Sequence, residues 1–240
     1  MSFFKSCILA NFMNLSTLYS NSVESSINPW LVKLVYHLGC WLVLPLFFGQ
    51  IIITGQENIP ITGATIVAPT HRSRWDALII PKAVGRLASS RDVRFMVTST
   101  EMKGIQGCLI HHLGGFPVDV KRPGLSSLER SVALLKAGEM LVIFPEGGIF
   151  RDNKVHPLKR GVARIALEVE SKKPESQIKI LPVGIRYIRP YPSWGTDVTV
   201  TIGKPIEVAK YSSKRIKSSS EKLTDDLEVI LRELYQKQDP

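Results

Sequence analysis

The sequence predicts an α/β fold, with a mixed and mostly parallel sheet flanked by helices behind an N-terminal membrane-associating helical segment. From Ile51 onward short β-branched runs alternate with helical stretches, the pattern of βαβ units. Two of those runs, residues 65–69 and 140–144, are apolar and read as buried strands. Ahead of them, residues 30–48 form an apolar stretch whose few polar positions repeat at helical spacing. At 240 residues and 26.8 kDa the chain can build one sizeable core. Residues 51–240 are therefore expected to form one domain and residues 1–50 an appendage.

Residues 1–28 are a polar leader rich in Ser and Asn. The apolar run from Cys7 to Ala10 is too short for a secretory signal core, so export is not expected and the cytoplasmic face is the default location. In the helical segment, Lys33, His37 and Cys40 fall at i, i+4 and i+7, a narrow polar stripe on an otherwise apolar helix. Pro45 is expected to end or kink it. About fifteen residues would remain, roughly 22 Å at 1.5 Å per residue, which favours lying in a membrane interface or dipping into one leaflet over crossing. A core helix of a soluble fold and a full span over residues 34–53, which carry no Lys, Arg, Asp or Glu, are the alternatives.

Strands are expected at residues 51–54, 65–69, 93–98, 116–120, 140–144, 178–188 and 197–202. Helices are expected between them at residues 75–87, 102–113, 125–137 and 160–170. Leu128, Val132 and Leu135 make one apolar stripe on the third of these, which Gly138 closes. A last amphipathic helix is expected at residues 220–236, with Leu223, Leu227, Ile230, Leu231 and Leu234 on one face and a Ser-rich, basic linker before it. No internal repeat is visible.

The net charge of +10 and the pI near 9.6 favour anionic partners such as lipid headgroups, phosphorylated substrates or an acidic carrier protein. Nucleic acid is not expected as a partner. The basic residues are scattered from Arg72 to Lys217, with no recognition helix, and the aromatics do not alternate with them as a stacking platform would. Cys7, Cys40 and Cys108 are odd in number and lack metal-ligand spacing, so they read as reduced, buried thiols and no metal is expected. A nucleophilic Cys108 beside His111 and His112 is the alternative, and the packed thiol is the simpler reading.

Two motifs point to chemistry. Asp76 follows His71 with four residues between them, just after the run at 65–69, and Phe144-Pro-Glu-Gly147 closes the run at 140–144. A carboxylate that accepts one imidazole N–H leaves the other nitrogen free to take a proton, so His71 is the candidate base and Asp76 its orienting partner. Asp76 and Ser73 also sit where a helix cap belongs, and both roles can coexist. In open α/β sheets the ligand site lies beyond the carboxyl ends of the strands, where both motifs fall. The turn at Glu146 and Gly147 suits a polar headgroup or a developing oxyanion. Lys121, Arg122 and Arg151 are the candidates to clamp a phosphate.

His71-Arg-Ser-Arg-Trp-Asp76, Gly114-Gly-Phe-Pro-Val-Asp119, Phe144-Pro-Glu-Gly147 and Leu181-Pro-Val183 together resemble, in order and separation, the four sequence blocks of the glycerolipid acyltransferases, the family that contains the 1-acylglycerol-3-phosphate acyltransferases. The resemblance covers roughly residues 55–205. It implies transfer of a fatty acyl group from an acyl-CoA or acyl-carrier-protein thioester to the hydroxyl of lysophosphatidate at a membrane surface, giving phosphatidate for phospholipid biosynthesis. It also implies no metal, no cofactor and no covalent intermediate. By this resemblance Glu146 and Gly147 belong to the acceptor-binding block, where Glu146 would hydrogen-bond glycerol hydroxyls or contact a basic residue. Two departures concern the acceptor: the family usually carries arginine where this chain has Val120 and Ile149, while Arg122 and Arg151 lie two residues further on. Either the loops bulge to return these arginines, or the headgroup contact differs and the acceptor is glycerol 3-phosphate, another lysolipid or an unphosphorylated lipid alcohol. A non-catalytic peripheral lipid-binding protein is the competing reading from another class. A serine hydrolase lacks a Gly-x-Ser-x-Gly elbow in this chain.

Overall fold

The computed structural model describes residues 27–119, 124–152, 154–212 and 215–236. Its centre is an eight-stranded sheet in the order β1-β7-β6-β2-β5-β3-β4, with β8 on the far end of β6. The strands are β1 (Phe48–Thr54), β2 (Thr65–Pro69), β3 (Val93–Thr98), β4 (Gly115–Val118), β5 (Met140–Val142), β6 (Lys179–Tyr187), β7 (Thr196–Ile202) and β8 (Ile206–Glu207). All neighbours pair in parallel except β6 with β7 and β6 with β8, which are antiparallel. The expected mixed, mostly parallel sheet is therefore the one observed.

Helices cover both faces of the sheet. They are α1 (Pro29–Phe47), α2 (Asp76–Val84), α3 (Arg86–Ser89), α4 (Gly104–His112), α5 (Leu125–Lys136), α6 (Gly161–Lys172) and α7 (Ile216–Gln236). Every residue of β2 is buried, because successive side chains enter different layers. Ile66 and Ala68 join Leu135, Ala166, Leu227 and Leu231 of α5, α6 and α7. Val67 joins Ile79, Ile80 and Val84 of α2, together with Leu44 and Phe48.

The first helix departs from the expectation at Pro45. Asn28 caps it, its side-chain oxygen accepting from the N–H groups of Trp30 and Leu31 at 3.1 and 3.2 Å, and the helix then runs through Pro45 to Phe47. Residues Leu38–Val43 are π-helical, with the Leu44 N–H bonded to Gly39 O five residues back. That wider turn relieves the clash a proline ring makes with the carbonyl four residues earlier. Val32, Tyr36, Cys40 and Leu44 are buried at every fourth position. Such a stripe drifts by about 40° per step around a regular helix, and the widened turn takes up part of the drift. Cys40 thus lies on the packed side, away from the exposed Lys33 and His37 with which the sequence grouped it.

Other boundaries shift for local reasons. β1 begins at Phe48, where its register with β7 is irregular up to Ile51. β5 ends at Val142, with one further bond from the Ile143 N–H to Val67 O at 3.0 Å before the Phe144–Gly147 turn. α7 starts at Ile216, so much of the expected linker is helical and buries Ser219 and Ser220. Cys40 is a buried free thiol, whereas Cys108 is disulfide-bonded and corrects the expectation of a reduced thiol there.

Candidate active site

The chain leaves β2 at Pro69 still held by β6. The Thr70 N–H donates to Val183 O at 3.0 Å, and the Ile185 N–H donates to Thr70 Oγ1 at 2.8 Å. His71 is therefore delivered at the carboxyl edge of a central strand, and α2 begins five residues on at Asp76. The Asp76 carboxylate reaches back over this turn. Its Oδ2 accepts from the Arg72 and Ser73 N–H groups at 2.7 and 2.9 Å and lies 2.9 Å from His71 Nδ1. Its Oδ1 accepts from the Tyr187 hydroxyl at 2.7 Å. Asp76 is fully buried, a position a carboxylate tolerates only with such a complement of donors.

These bonds fix the imidazole. With Asp76 at Nδ1, the neutral ring carries its proton there and leaves Nε2 as the free acceptor. Phe144 stacks on the ring at 3.8 Å between centroids and 19° between planes, so the ring cannot rotate without losing both contacts. Burial and the adjacent Asp76 push the Tyr187 hydroxyl far above its ordinary range, and it stays a donor.

Glu146 faces inward. Its Oε2 accepts from the His71 N–H and from Arg72 Nη1, both at 2.8 Å, and its Oε1 accepts from the His156 N–H at 2.9 Å and from Arg72 Nη1 at 3.1 Å. Arg72 also donates to Phe150 O and Lys154 O and lies 5.2 Å from the Tyr235 ring. The glutamate thus carries protein donors on both oxygens and ties the two motif loops together. Its contact with a basic residue is the one to Arg72.

A cavity of about 1300 Å³ opens at His71 and Gly147. Its lining includes Val35 and Gly39 of α1 with Leu78, Phe95 and Val97, and also Leu128 together with Lys159, Arg160 and Arg164 at the start of α6. Arg160 is paired with Glu221 at 2.9 Å, whereas Lys159 and Arg164 have no ion pair among the described residues. Gly147 has φ +72°, and a Cβ there would lie 2.5 Å from the Lys159 ammonium, so glycine lets Lys159 lie across the turn. Arg151 does not line the cavity. It is exposed, with its guanidinium 4.9 Å over the Tyr191 ring. Lys121 and Arg122 lie outside the described residues. Among the described residues no three His, Cys, Asp or Glu side chains gather as a metal site.

Sequence reasoning missed Tyr187 and Lys159. Tyr187 stands 111 residues from Asp76 and reaches it only through strand pairing, for which no local pattern exists. Lys159 had a signal: Lys159-Arg160 precedes a helix with no acid in its first turn, a basic start open to an anion.

A family model described as Acyltransferase matches residues 50–186, more than half of the chain. The chain belongs to this acyltransferase family. It is an O-acyltransferase whose sheet carries the two motif loops at one edge. It is 29% identical over 197 residues to the 1-acyl-sn-glycerol-3-phosphate acyltransferase of Bacillus subtilis, covering 80% of this chain and 91% of that protein. A 68-residue stretch is 41% identical to glycerol-3-phosphate O-acyltransferase 1 of Saccharomyces cerevisiae, 28% of this chain and 9% of that protein. The fold is shared with the crystal structure of the 1-acyl-sn-glycerophosphate acyltransferase PlsC from Thermotoga maritima, at a TM-score of 0.62 and 23% identity over 87% of this chain and 80% of that one. For an acyltransferase, an immobilised imidazole with a free nitrogen at the wall of a largely apolar cavity has the chemistry of a general base beside a lipid.

Proposed function

We propose that this acyltransferase moves a fatty acyl group from an acyl-CoA or acyl-carrier-protein thioester to the free hydroxyl of lysophosphatidate, forming phosphatidate for phospholipid biosynthesis at the cytoplasmic face of a membrane. The observation that carries this reading is the His71–Asp76 contact of 2.9 Å at the mouth of a cavity of about 1300 Å³. A lipid alcohol is a weak nucleophile at neutral pH. As its oxygen bonds to the thioester carbon, His71 Nε2 takes the hydroxyl proton and Asp76 stabilises the imidazolium. The tetrahedral adduct then collapses, the carbon–sulfur bond breaks, and the imidazolium returns the proton to the leaving thiolate. No metal, cofactor or enzyme-bound acyl group enters this scheme.

The name and full-length likeness of the Bacillus subtilis relative support lysophosphatidate as acceptor. So does the cationic part of the cavity lining, where Lys159 and Arg164 stand beside the N-terminus of α6, a favourable setting for phosphate. In this role they join Lys121 and Arg122, and Arg151 contributes less. The match to the yeast enzyme favours glycerol 3-phosphate as a second acceptor. Membrane attachment is supported by α1, whose outward side exposes Trp30, Leu34, Leu38, Trp41, Leu42 and Leu46 while its other side packs on the domain. At 19 residues, roughly 28 Å, its length alone would allow a span. The packed stripe favours lying in the interface.

Thiol release by the purified protein tests the reading, with acyl-CoA or acyl-carrier protein as donor and lysophosphatidate, glycerol 3-phosphate or an unphosphorylated monoacylglycerol as acceptor. Release that requires lysophosphatidate, and falls by about 10² to 10⁴ in His71→Ala, is the expected result. Equal release without any acceptor would make the enzyme a hydrolase and overturn the proposal.

A further inference from the structure

We propose that the loop joining β6 to β7, residues 188–195, is a second membrane contact that docks on an anionic lipid bilayer beside α1. The proposal rests on the reading of α1 as an interfacial helix and adds a separate element to it. Within this loop Ile188, Tyr191 and Trp194 are 61%, 73% and 71% exposed. Large apolar side chains clustered outside a core mark an interaction surface. The loop holds them outward at little further entropic cost: Pro190 and Pro192 fix two φ angles, Arg189 Nη1 donates to Ser193 Oγ at 2.8 Å, and the Ser193 N–H donates to Thr196 Oγ1 at 2.9 Å.

The loop is joined to the end of α1. The Gly195 N–H donates to Phe47 O at 2.8 Å, and the Trp194 ring meets the Phe47 ring edge-on at 6.0 Å. The loop is therefore anchored at the C-terminal end of α1, the helix that exposes Trp41 and Leu46. The chemistry of this combined surface identifies its occupant. Arg151 lies over Tyr191 at 4.9 Å, Lys82 over Trp41 at 6.0 Å and Lys33 over Trp30 at 5.8 Å, so three of the exposed aromatics carry a cation. An amphipathic ring at headgroup depth with a cation within reach of lipid phosphates is the arrangement an anionic interface favours. Residues 188–195 contain Arg189 and no acid. A second copy of the chain would bring like charges together, whereas an anionic bilayer complements them. Phe47 also stacks on Trp75 at 4.3 Å, and Trp75 directly precedes Asp76, so the docked loop lies two ring contacts from the motif turn.

The chain has four tryptophans, which allows a direct reading of depth. Full-length protein keeping Trp194 alone (Trp30→Phe, Trp41→Phe, Trp75→Phe) and a companion keeping Trp41 alone are mixed with phosphatidylcholine vesicles, with and without phosphatidylglycerol, whose acyl chains are brominated near the headgroup. The expected result is a blue shift and quenching of both tryptophans on the anionic vesicles. Quenching of Trp41 with Trp194 unchanged would overturn the loop contact and leave the α1 reading standing. Failure of both would remove both. A Trp194 shift that follows protein concentration without vesicles would make a second copy the occupant and also overturn the proposal. In protein with all its tryptophans, Arg151→Gln with Arg189→Gln should weaken partition to anionic vesicles by about thirtyfold and leave neutral vesicles unaffected. An unchanged partition would sink the proposal without recourse to the tryptophan variants.

Discussion

The Tyr187 hydroxyl donates a 2.7 Å hydrogen bond to Asp76 Oδ1, joining the last residue of β6 to the first residue of α2 across the floor of the His71 site. The bond takes the oxygen that His71 does not use. Asp76 is thereby held from both sides, by His71 with two backbone N–H groups on Oδ2 and by a phenol on Oδ1.

Tyr187→Phe should therefore cost stability and rate together. Removing one donor to a buried carboxylate costs about 1–3 kcal/mol, read as a lower urea midpoint. The pH dependence supplies a second signature. Burial, then Asp76, raises the folded-state value of Tyr187 above the unfolded value near 10. The unfolded chain releases this proton first, so the contribution is intact below about pH 10 and fades as pH rises beyond it. The variant should show a shallower loss of stability between about pH 9.5 and 11 than the parent. Equal slopes would show that the hydroxyl is not held in this way.

Much of the fold was legible from local pattern. The strands at 65–69 and 93–98 appear at the expected bounds, because a β-branched run flanked by turn residues needs no distant information. Pro45 misled because its effect depends on the turn before it, and a π-helical turn is not encoded by periodicity. His71 and Asp76 were readable because one short turn contains both. The Arg72–Glu146 pair, the Tyr187 bond and the position of Lys159 over Gly147 arise from the register of β2 against β5 and β6, which fixes distances between segments far apart in sequence. Arg151 shows the converse: two residues beyond Ile149, where the resemblance puts an arginine, it follows its loop outward to Tyr191.

The Arg72–Glu146 pair is almost wholly inaccessible, with side-chain exposures of 4% and 0%. Removing one member strands the other charge, so Glu146→Ala should destabilise by about 3–5 kcal/mol and release the His71 backbone. Arg72→Met combined with Glu146→Ala should be less destabilised than the sum of the single variants, because neither charge is left alone. Chemical denaturation of the four proteins measures this coupling, and strict additivity would refute it.

His111, in the last turn of α4, supplies an acid-sensitive element. Burial foremost, then His112, Arg130 and Arg94, push its pKa down to about 4 from the ordinary value of 6.5. The unfolded chain takes up a proton at higher pH than the folded one does. The contribution is therefore complete above about pH 6.5 and is lost as pH falls toward 4. His111→Leu should flatten the fall in thermal midpoint across that window, and an unaltered profile would place the acid sensitivity elsewhere.

Lys159 bears on the choice of acceptor. Its ammonium lies across Gly147 at the cavity wall, beside the start of α6 and without an ion pair among the described residues. If it holds the acceptor phosphate, Lys159→Gln should raise KM for lysophosphatidate by about tenfold or more, since a charge-assisted hydrogen bond is worth roughly 1.5–3 kcal/mol. Turnover of an unphosphorylated monoacylglycerol, where detectable, should be unchanged. Gly147→Ala, which collides with the same side chain in a backbone conformation disfavoured for alanine, should displace Lys159 and show the same selective rise in KM. A loss shared equally between phosphorylated and unphosphorylated acceptors would remove Lys159 from headgroup recognition and leave it as a brace for the Phe144–Gly147 turn.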